Sequence, residues 1–125
     1  MDTSFRMPFD VTYAEYIANA KKNLEGFTAD LTKYDANKEI GIEFFHDLLA
    51  EAVRVADERN VALYCGEFGV INLASPEDSL KWYKMICKCF DEFKIGRAAW
   101  SYKEMDFGIS DSRLDEVREE LLKYI

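Results

Sequence analysis

The sequence predicts an α/β fold with parallel strands, and three observations point there. A helical apolar stripe runs from Gly41 to Asn60. A short apolar run, Val61-Ala62-Leu63-Tyr64-Cys65, follows it after a polar break. A second helix and a second apolar run, Ile95 to Tyr102, come next. A strand–helix–strand unit with connections this short makes parallel strands with a right-handed crossover. The full order is helix, helix, strand, helix, strand, helix. That is the repeating β/α pattern of a barrel or a doubly wound sheet, and two strands complete neither.

The first ten residues, ending in Met7-Pro8-Phe9-Asp10, read as an irregular loop. Thr12 followed by Glu15 forms a capping box, with Tyr16, Ile17, Ala20 and Leu24 at helical spacing behind it and Gly26 as the stop. Thr28 to Lys38 is polar and ambiguous. In the next helix Ile42, Phe45, Leu48, Leu49, Ala52, Val53 and Ala56 share one face. Val61 to Cys65 is the first strand, and Gly66-Glu67-Phe68-Gly69 closes it. Ser75-Pro76-Glu77-Asp78 starts a helix with a cap, a proline in the first turn and acids at the positive dipole end. Leu80, Tyr83, Ile86, Cys87, Phe90 and Phe93 line its apolar face. Ser110 or Asp111 caps a last helix with Leu114, Val117, Leu121, Leu122 and Ile125 inward.

Composition narrows the function. The chain has 125 residues, 49% of them hydrophobic, so it is not disordered as a whole, and its length suggests one domain. No apolar run approaches the roughly 20 residues of a membrane-spanning helix. Its 24 acidic and 16 basic residues give a net charge of -8, which argues against nucleic-acid and anionic-membrane partners and leaves neutral substrates open. The N-terminus has no basic start followed by an apolar core, so it does not read as a signal peptide. Three cysteines, Cys65, Cys87 and Cys89, contain no CxxC. Cys87 and Cys89 lie about 200° apart around a helix, so they read as small buried hydrophobes rather than metal ligands. No metal or other cofactor is expected.

Parallel strands place their C-terminal ends on one side, which brings Glu67 and Trp100 to one rim. In β/α barrels that rim carries catalysis. Glu67 is either a structural ion-pair partner at a strand end or a working carboxylate. Burial of such a group is costly unless it is paired or used. Trp100 is either core or a flat platform for the C–H face of a sugar. His46 reads as a partly exposed helix residue. Glu104 and Asp106 follow the second strand, as candidates for polar groups at the rim or as solvated acids. Lys103, Glu104 and Asn72 lie on rim loops.

Leu63-Tyr64-Cys65-Gly66-Glu67-Phe68-Gly69, Trp82-Tyr83, Ala99-Trp100-Ser101-Tyr102-Lys103 and Asp106-Phe107-Gly108-Ile109, in this order and spacing, resemble the C-terminal end of glycoside hydrolase family 5, the cellulase-like (β/α)8 barrels. The likeness is specific over residues 61–109 and looser over 1–60. It implies the C-terminal portion of a TIM barrel, incomplete in this chain. Residues 1–40 would be the loop and helix after strand six, with Met7-Pro8-Phe9 and the Tyr13-to-Tyr16 helix start within it. Residues 41–60 would be helix six, 61–69 strand seven, 76–93 helix seven, 95–102 strand eight and 111–125 helix eight.

The resemblance also implies roles. Glu67 matches the family's nucleophile. Trp100 matches the tryptophan that stacks on the sugar beside the cleaved bond, and Lys103 is a substrate-binding candidate next to it. The implied substrate is a β-linked polysaccharide or oligosaccharide, cleaved with retention and without a metal. The strand-four Asn-Glu-Pro segment that carries the family's acid/base is missing, as are the arginine, histidine and tyrosine of earlier strands. The isolated chain is therefore expected to be inactive. A second reading is a non-catalytic remnant that binds glycan or self-associates, since a bare two-stranded sheet exposes an apolar face and unpaired edges.

Overall fold

The computed structural model describes residues 10–23 and 31–125. The chain divides into two compact units, Met1–Ile40 and Gly41–Ile125.

In the first unit, α1 spans Tyr13–Asn23. Its start is the capping box read from the sequence. The Thr12 hydroxyl accepts the Glu15 N–H at 3.2 Å, and the Glu15 carboxylate takes the Thr12 N–H at 2.9 Å. Residues 31–40 contribute turns and an antiparallel bridge, Thr12 to Glu39. Tyr34 stacks on the buried ring of Tyr13, with centroids 4.3 Å apart. The Met7-Pro8-Phe9 segment and the Gly26 stop lie outside the described residues.

The second unit is one β/α/β turn with helical flanks. Helix α2 (Ile42–Arg59) ends at Asn60, whose φ of 51° closes it while the Val61 N–H reaches back to the Ala56 carbonyl. Strand β1 (Tyr64–Phe68), helix α3 (Pro76–Glu92) and strand β2 (Gly96–Ala99) follow. The strands pair in parallel as a two-stranded sheet. A 3₁₀ turn (Ser112–Leu114) and a short helix α4 (Arg118–Leu121) complete the unit.

Burial concentrates on α3, as its apolar face requires. Tyr83, Ile86, Cys87 and Phe90 are buried, and Phe68 of β1 packs against the rings of Phe90 and Tyr83 at 5.2 and 5.9 Å. Trp82 extends this cluster to Phe45 of α2, with centroids 6.3 Å apart. Burial pushes the thiols of Cys87 and Cys89 up to about 11, which keeps them protonated at neutral pH. Both remain free thiols, as does Cys65.

The start of α3 is fixed by Ser75, whose hydroxyl accepts the Asp78 N–H at 3.0 Å, with Pro76 opening the helix. Ser75→Ala should cost about 1 kcal/mol and lower the melting temperature by several degrees, measured by calorimetry.

Three expectations are corrected. The stripe on α2 is only partly buried: Phe45 and Ala56 are inside, but Leu48 stays 63% exposed and Ala52 is exposed. The first strand begins at Tyr64 rather than Val61, because Val61 still belongs to the α2 exit through its bond to Ala56. The continuous helix expected over 111–125 is instead a 3₁₀ turn and the four-residue α4. Leu114 and Leu121 are both fully buried, and the chain bends between them through the i→i+3 bond from Val117 N–H to Leu114 carbonyl. None of the described helices is long and apolar enough to cross a membrane.

Candidate active site

The site forms where β1 and β2 end side by side. In β1, Cys65 faces Arg97 and Phe68 faces Ala99, so β1 carries one residue more than β2 between these pairs. Gly66 and Glu67 occupy that bulge. A bulge re-aims a side chain at the end of a ladder, a device common beside active sites. Phe68 turns into the α3 cluster while Glu67 is exposed. The Glu67 side chain makes no hydrogen bond or ion pair among the described residues. The structural ion-pair reading of Glu67 thus has no partner, and the burial cost considered from sequence does not arise.

Trp100 is held beside it by backbone. Its N–H donates to the Phe68 carbonyl at 2.8 Å. Its own carbonyl lies so close to Gly69 that a Cβ there would collide with the oxygen. The Trp100–Ser101 peptide bond is cis. Trp100 is 40% exposed, so it is not lost in the core.

Two supports lie under this rim. Arg113, leaving the 3₁₀ turn, donates to the Val70 carbonyl at 3.0 Å and to the Ser79 hydroxyl at 3.2 Å. Tyr83 accepts the Val70 N–H at 3.4 Å through its hydroxyl. Together they fix the loop that follows Glu67. Burial lowers the pKa of Arg113, and its buried Nε has no hydrogen-bond partner among the described residues. Burial likewise raises that of Tyr83.

The second support is the loop after β2. Glu104, Met105 and Asp106 take positive φ values of 60°, 58° and 63°, an unusual run for residues other than glycine. The N–H and carbonyl of Glu104 and the carbonyl of Asp106 are tied down. The Ser101 hydroxyl donates to the Glu104 carbonyl at 2.7 Å, and Asp111 accepts the Glu104 N–H at 3.0 Å. Asn72, from the loop after β1, donates its N–H to the Asp106 carbonyl at 2.6 Å and its amide to the Asp106 carboxylate at 3.3 Å. Asp106 is therefore a structural clasp between the two rim loops, while Lys103 and the Glu104 carboxylate stay exposed.

The sequence reading brought Glu67 and Trp100 to one rim, and they stand there. It gives no supporting role at the rim to Arg113, Ser79, Tyr83 or Asp111: Arg113 falls in the stretch expected as a regular helix, Tyr83 reads as part of an apolar helix face and of the Trp82-Tyr83 motif, Asp111 reads as a helix cap, and Ser79 is not singled out. His46, expected on a helix surface, bonds Glu92 of α3 at 2.6 Å and sits away from the rim residues in sequence and in partners. Among the described residues no cluster of His, Cys, Asp or Glu could hold a metal ion.

No protein-family model matches the chain. Individual proteins do. Endoglucanase C of Acetivibrio thermocellus is 33% identical over 111 residues, which is 89% of this chain and 31% of that protein. Cellodextrinase A of Ruminococcus flavefaciens is 46% identical over 54 residues, 43% of this chain and 16% of that protein. The chain thus spans about a third or less of the relatives it matches. Among solved structures, a hyperthermophilic endo-β-1,4-glucanase in complex with substrate superimposes with a TM-score of 0.57 at 24% identity, over 66% of this chain and 27% of that one. Thermotoga maritima Cel5A in complex with cellobiose also reaches 0.57, at 17% identity, over 91% of this chain and 35% of that one. The partial sheet and its helices thus have the fold of a segment of these TIM-barrel enzymes. In sequence and in fold, the chain resembles the C-terminal part of the cellulase-like catalytic domain of glycoside hydrolase family 5.

Proposed function

We propose that this chain is the C-terminal part of a retaining β-glycoside hydrolase acting on a β-linked polysaccharide, with Glu67 as nucleophile and Trp100 and Lys103 as substrate-binding residues. The observation that carries the reading is the exposed carboxylate of Glu67 on a bulge, without an ion-pair or hydrogen-bond partner among the described residues, at the strand end where the backbone of Trp100 is bonded to the Phe68 carbonyl. The names of its relatives, endoglucanase C and cellodextrinase A, support β-glucan as the substrate to test first.

The chemistry needs two carboxyl groups about 5–5.5 Å apart. Glu67 would attack the anomeric carbon, and Trp100 would hold the neighbouring sugar by its apolar face. The second carboxyl protonates the leaving oxygen, and then activates the water that releases the sugar from Glu67. The Asn-Glu-Pro segment that carries that second group in the family does not occur in these 125 residues. Positioned proton transfer contributes about 10²–10⁴-fold, so the 125-residue chain alone should release no reducing sugar from β-glucan above background. Hydrolysis by the chain alone that Glu67→Ala abolishes would overturn this expectation.

The nucleophile assignment is tested by exchange. The chain replaces the 111-residue stretch it matches in endoglucanase C, and hydrolysis of β-glucan by the folded chimera is measured. Activity that depends on Glu67 supports the reading. Equal activity without Glu67 sinks it.

A further inference from the structure

A half-buried cation stands behind the loop that follows Glu67, and its hydrogen-bond partners are neutral. Arg113 sends one arm of its guanidinium to the Val70 carbonyl at 3.0 Å and the other to the Ser79 hydroxyl at 3.2 Å. Ser79 is fully buried, and its own N–H is bonded to the Ser75 carbonyl in the first turn of α3. Asp111 lies near enough to act on the charge of Arg113, but no carboxylate hydrogen-bonds to the guanidinium among the described residues. The buried Nε has no partner there either. This arrangement costs stability, because an apolar side chain of similar length would fill the same space without an unsatisfied donor. What Arg113 holds accounts for that cost.

Both backbone groups of Val70 are taken by side chains. Arg113 takes the carbonyl, and the Tyr83 hydroxyl accepts the N–H at 3.4 Å. The two grips come from different elements, the 3₁₀ turn and α3, and each is anchored: Tyr83 and Leu114, next to Arg113, are fully buried. The Glu67 side chain, by contrast, engages no other described residue, so its place is set by backbone. Upstream, the register with β2 holds at Cys65, and the bulge takes Gly66 and Glu67 out of it. Downstream, the chain is held at the Phe68 carbonyl, bonded to Trp100, and at Val70. Gly69, between these two points, packs on the Trp100 carbonyl. A shift of Val70 is therefore passed both to the bulge and to Trp100.

Resting on the reading of Glu67 as nucleophile, we infer that Arg113 is a positioning residue for that carboxylate: its two-armed grip on Val70 and Ser79 ties the strand end to the start of α3 and sets where Glu67 stands relative to Trp100. Arg113 acts through the Val70 peptide. Its effect falls on the rate, because attack on the anomeric carbon tolerates little displacement, and a misplacement of about 1 Å costs on the order of 10²-fold. The planar fork matters as well as the charge. A lysine ammonium is a point donor and does not reproduce two arms in fixed geometry.

The test has two readouts. In the full chain, amide hydrogen exchange compares the wild type with Arg113→Met, which keeps an apolar stem in place and removes the donors. Exchange at the Val70 and Trp100 N–H groups should accelerate by about 10-fold or more, while amides in the middle of α3 keep their rates. In the endoglucanase C chimera, Arg113→Met should lower kcat by roughly 10- to 100-fold and leave KM within about 2-fold. Arg113→Lys should fall between the two. Ile86→Val, a core truncation that touches none of these bonds, should leave kcat unchanged, which separates positioning from stability. Unchanged exchange at Val70 and Trp100, or a kcat for folded Arg113→Met within about 2-fold of the parent chimera, overturns the inference and leaves the nucleophile reading standing. An equal fall in kcat for Ile86→Val overturns it too, because the loss is then one of stability. The nucleophile reading fails on a different variant, when activity survives the loss of Glu67.

Discussion

Glu67→Gln in the endoglucanase C chimera is expected to lower turnover of β-glucan by on the order of 10⁴-fold or more, with oligosaccharide binding retained. Removing the attacking group of a covalent mechanism leaves only binding and the remaining electrostatics, and such losses run to several orders of magnitude. The amide is nearly isosteric with the carboxylate but carries no charge to stabilise the sugar cation and is a poor nucleophile. The structure makes the experiment clean. Because the Glu67 side chain is exposed and engages no other described residue, the substitution removes no internal hydrogen bond or ion pair. Stability should therefore move by less than about 0.5 kcal/mol. A rate near that of the parent chimera would exclude Glu67 as the nucleophile.

Gly69→Ala is the second large effect, and it acts on shape rather than chemistry. The added Cβ would meet the Trp100 carbonyl oxygen well inside van der Waals distance, and the Phe107 ring stands 3.4 Å away. Backbone cannot swing aside as a flexible side chain can. The strand end must separate from Trp100, which stretches the Trp100 N–H bond to Phe68 as well. A cost of about 2–3 kcal/mol is expected. For a unit of this size that corresponds to a fall in melting temperature of roughly 10–20 °C, read by calorimetry. A melting point within about 2 °C of wild type would show that the two strand ends have room to part.

The glycine illustrates what could be read from the sequence. Period and caps found α2, α3 and both strands, since Phe45, Tyr83 and Phe90 repeat at helical spacing and Ser75-Pro76 marks a start. The placement of Glu67 and Trp100 at one rim was legible, because each lies at the end of a strand and parallel strands end on the same side. The continuous helix expected after Ser110 does not form, because Leu114 and Leu121 repeat like a helix face while the bonds from Asp111 to Val117 are i→i+3, and α-helical bonding starts only with the short α4. The supports of the rim were not legible at all. Arg113 reaches back 43 positions to Val70, and Asp106 34 positions to Asn72. Such long-range bonds between loops leave no periodic trace. The left-handed turn at Glu104-Met105-Asp106 was also hidden, since only Asp106 is of a type that commonly takes positive φ, and Glu104 and Met105 are not.

The two tryptophans occupy opposite situations, and this gives the molecule two optical reporters. Trp82 is half-buried in a ring cluster with Phe45, Phe68 and Tyr83, so its emission is set by the packing between α2, α3 and β1. Trp100 is open to solvent at the rim, so its emission is redder and accessible to a neutral quencher such as acrylamide. With a net charge of -8, the chain repels iodide and makes the neutral quencher the better choice. Replacing either indole with phenylalanine separates the signals. Loss of the blue component then follows the core coming apart, and protection of the red one follows occupation of the rim.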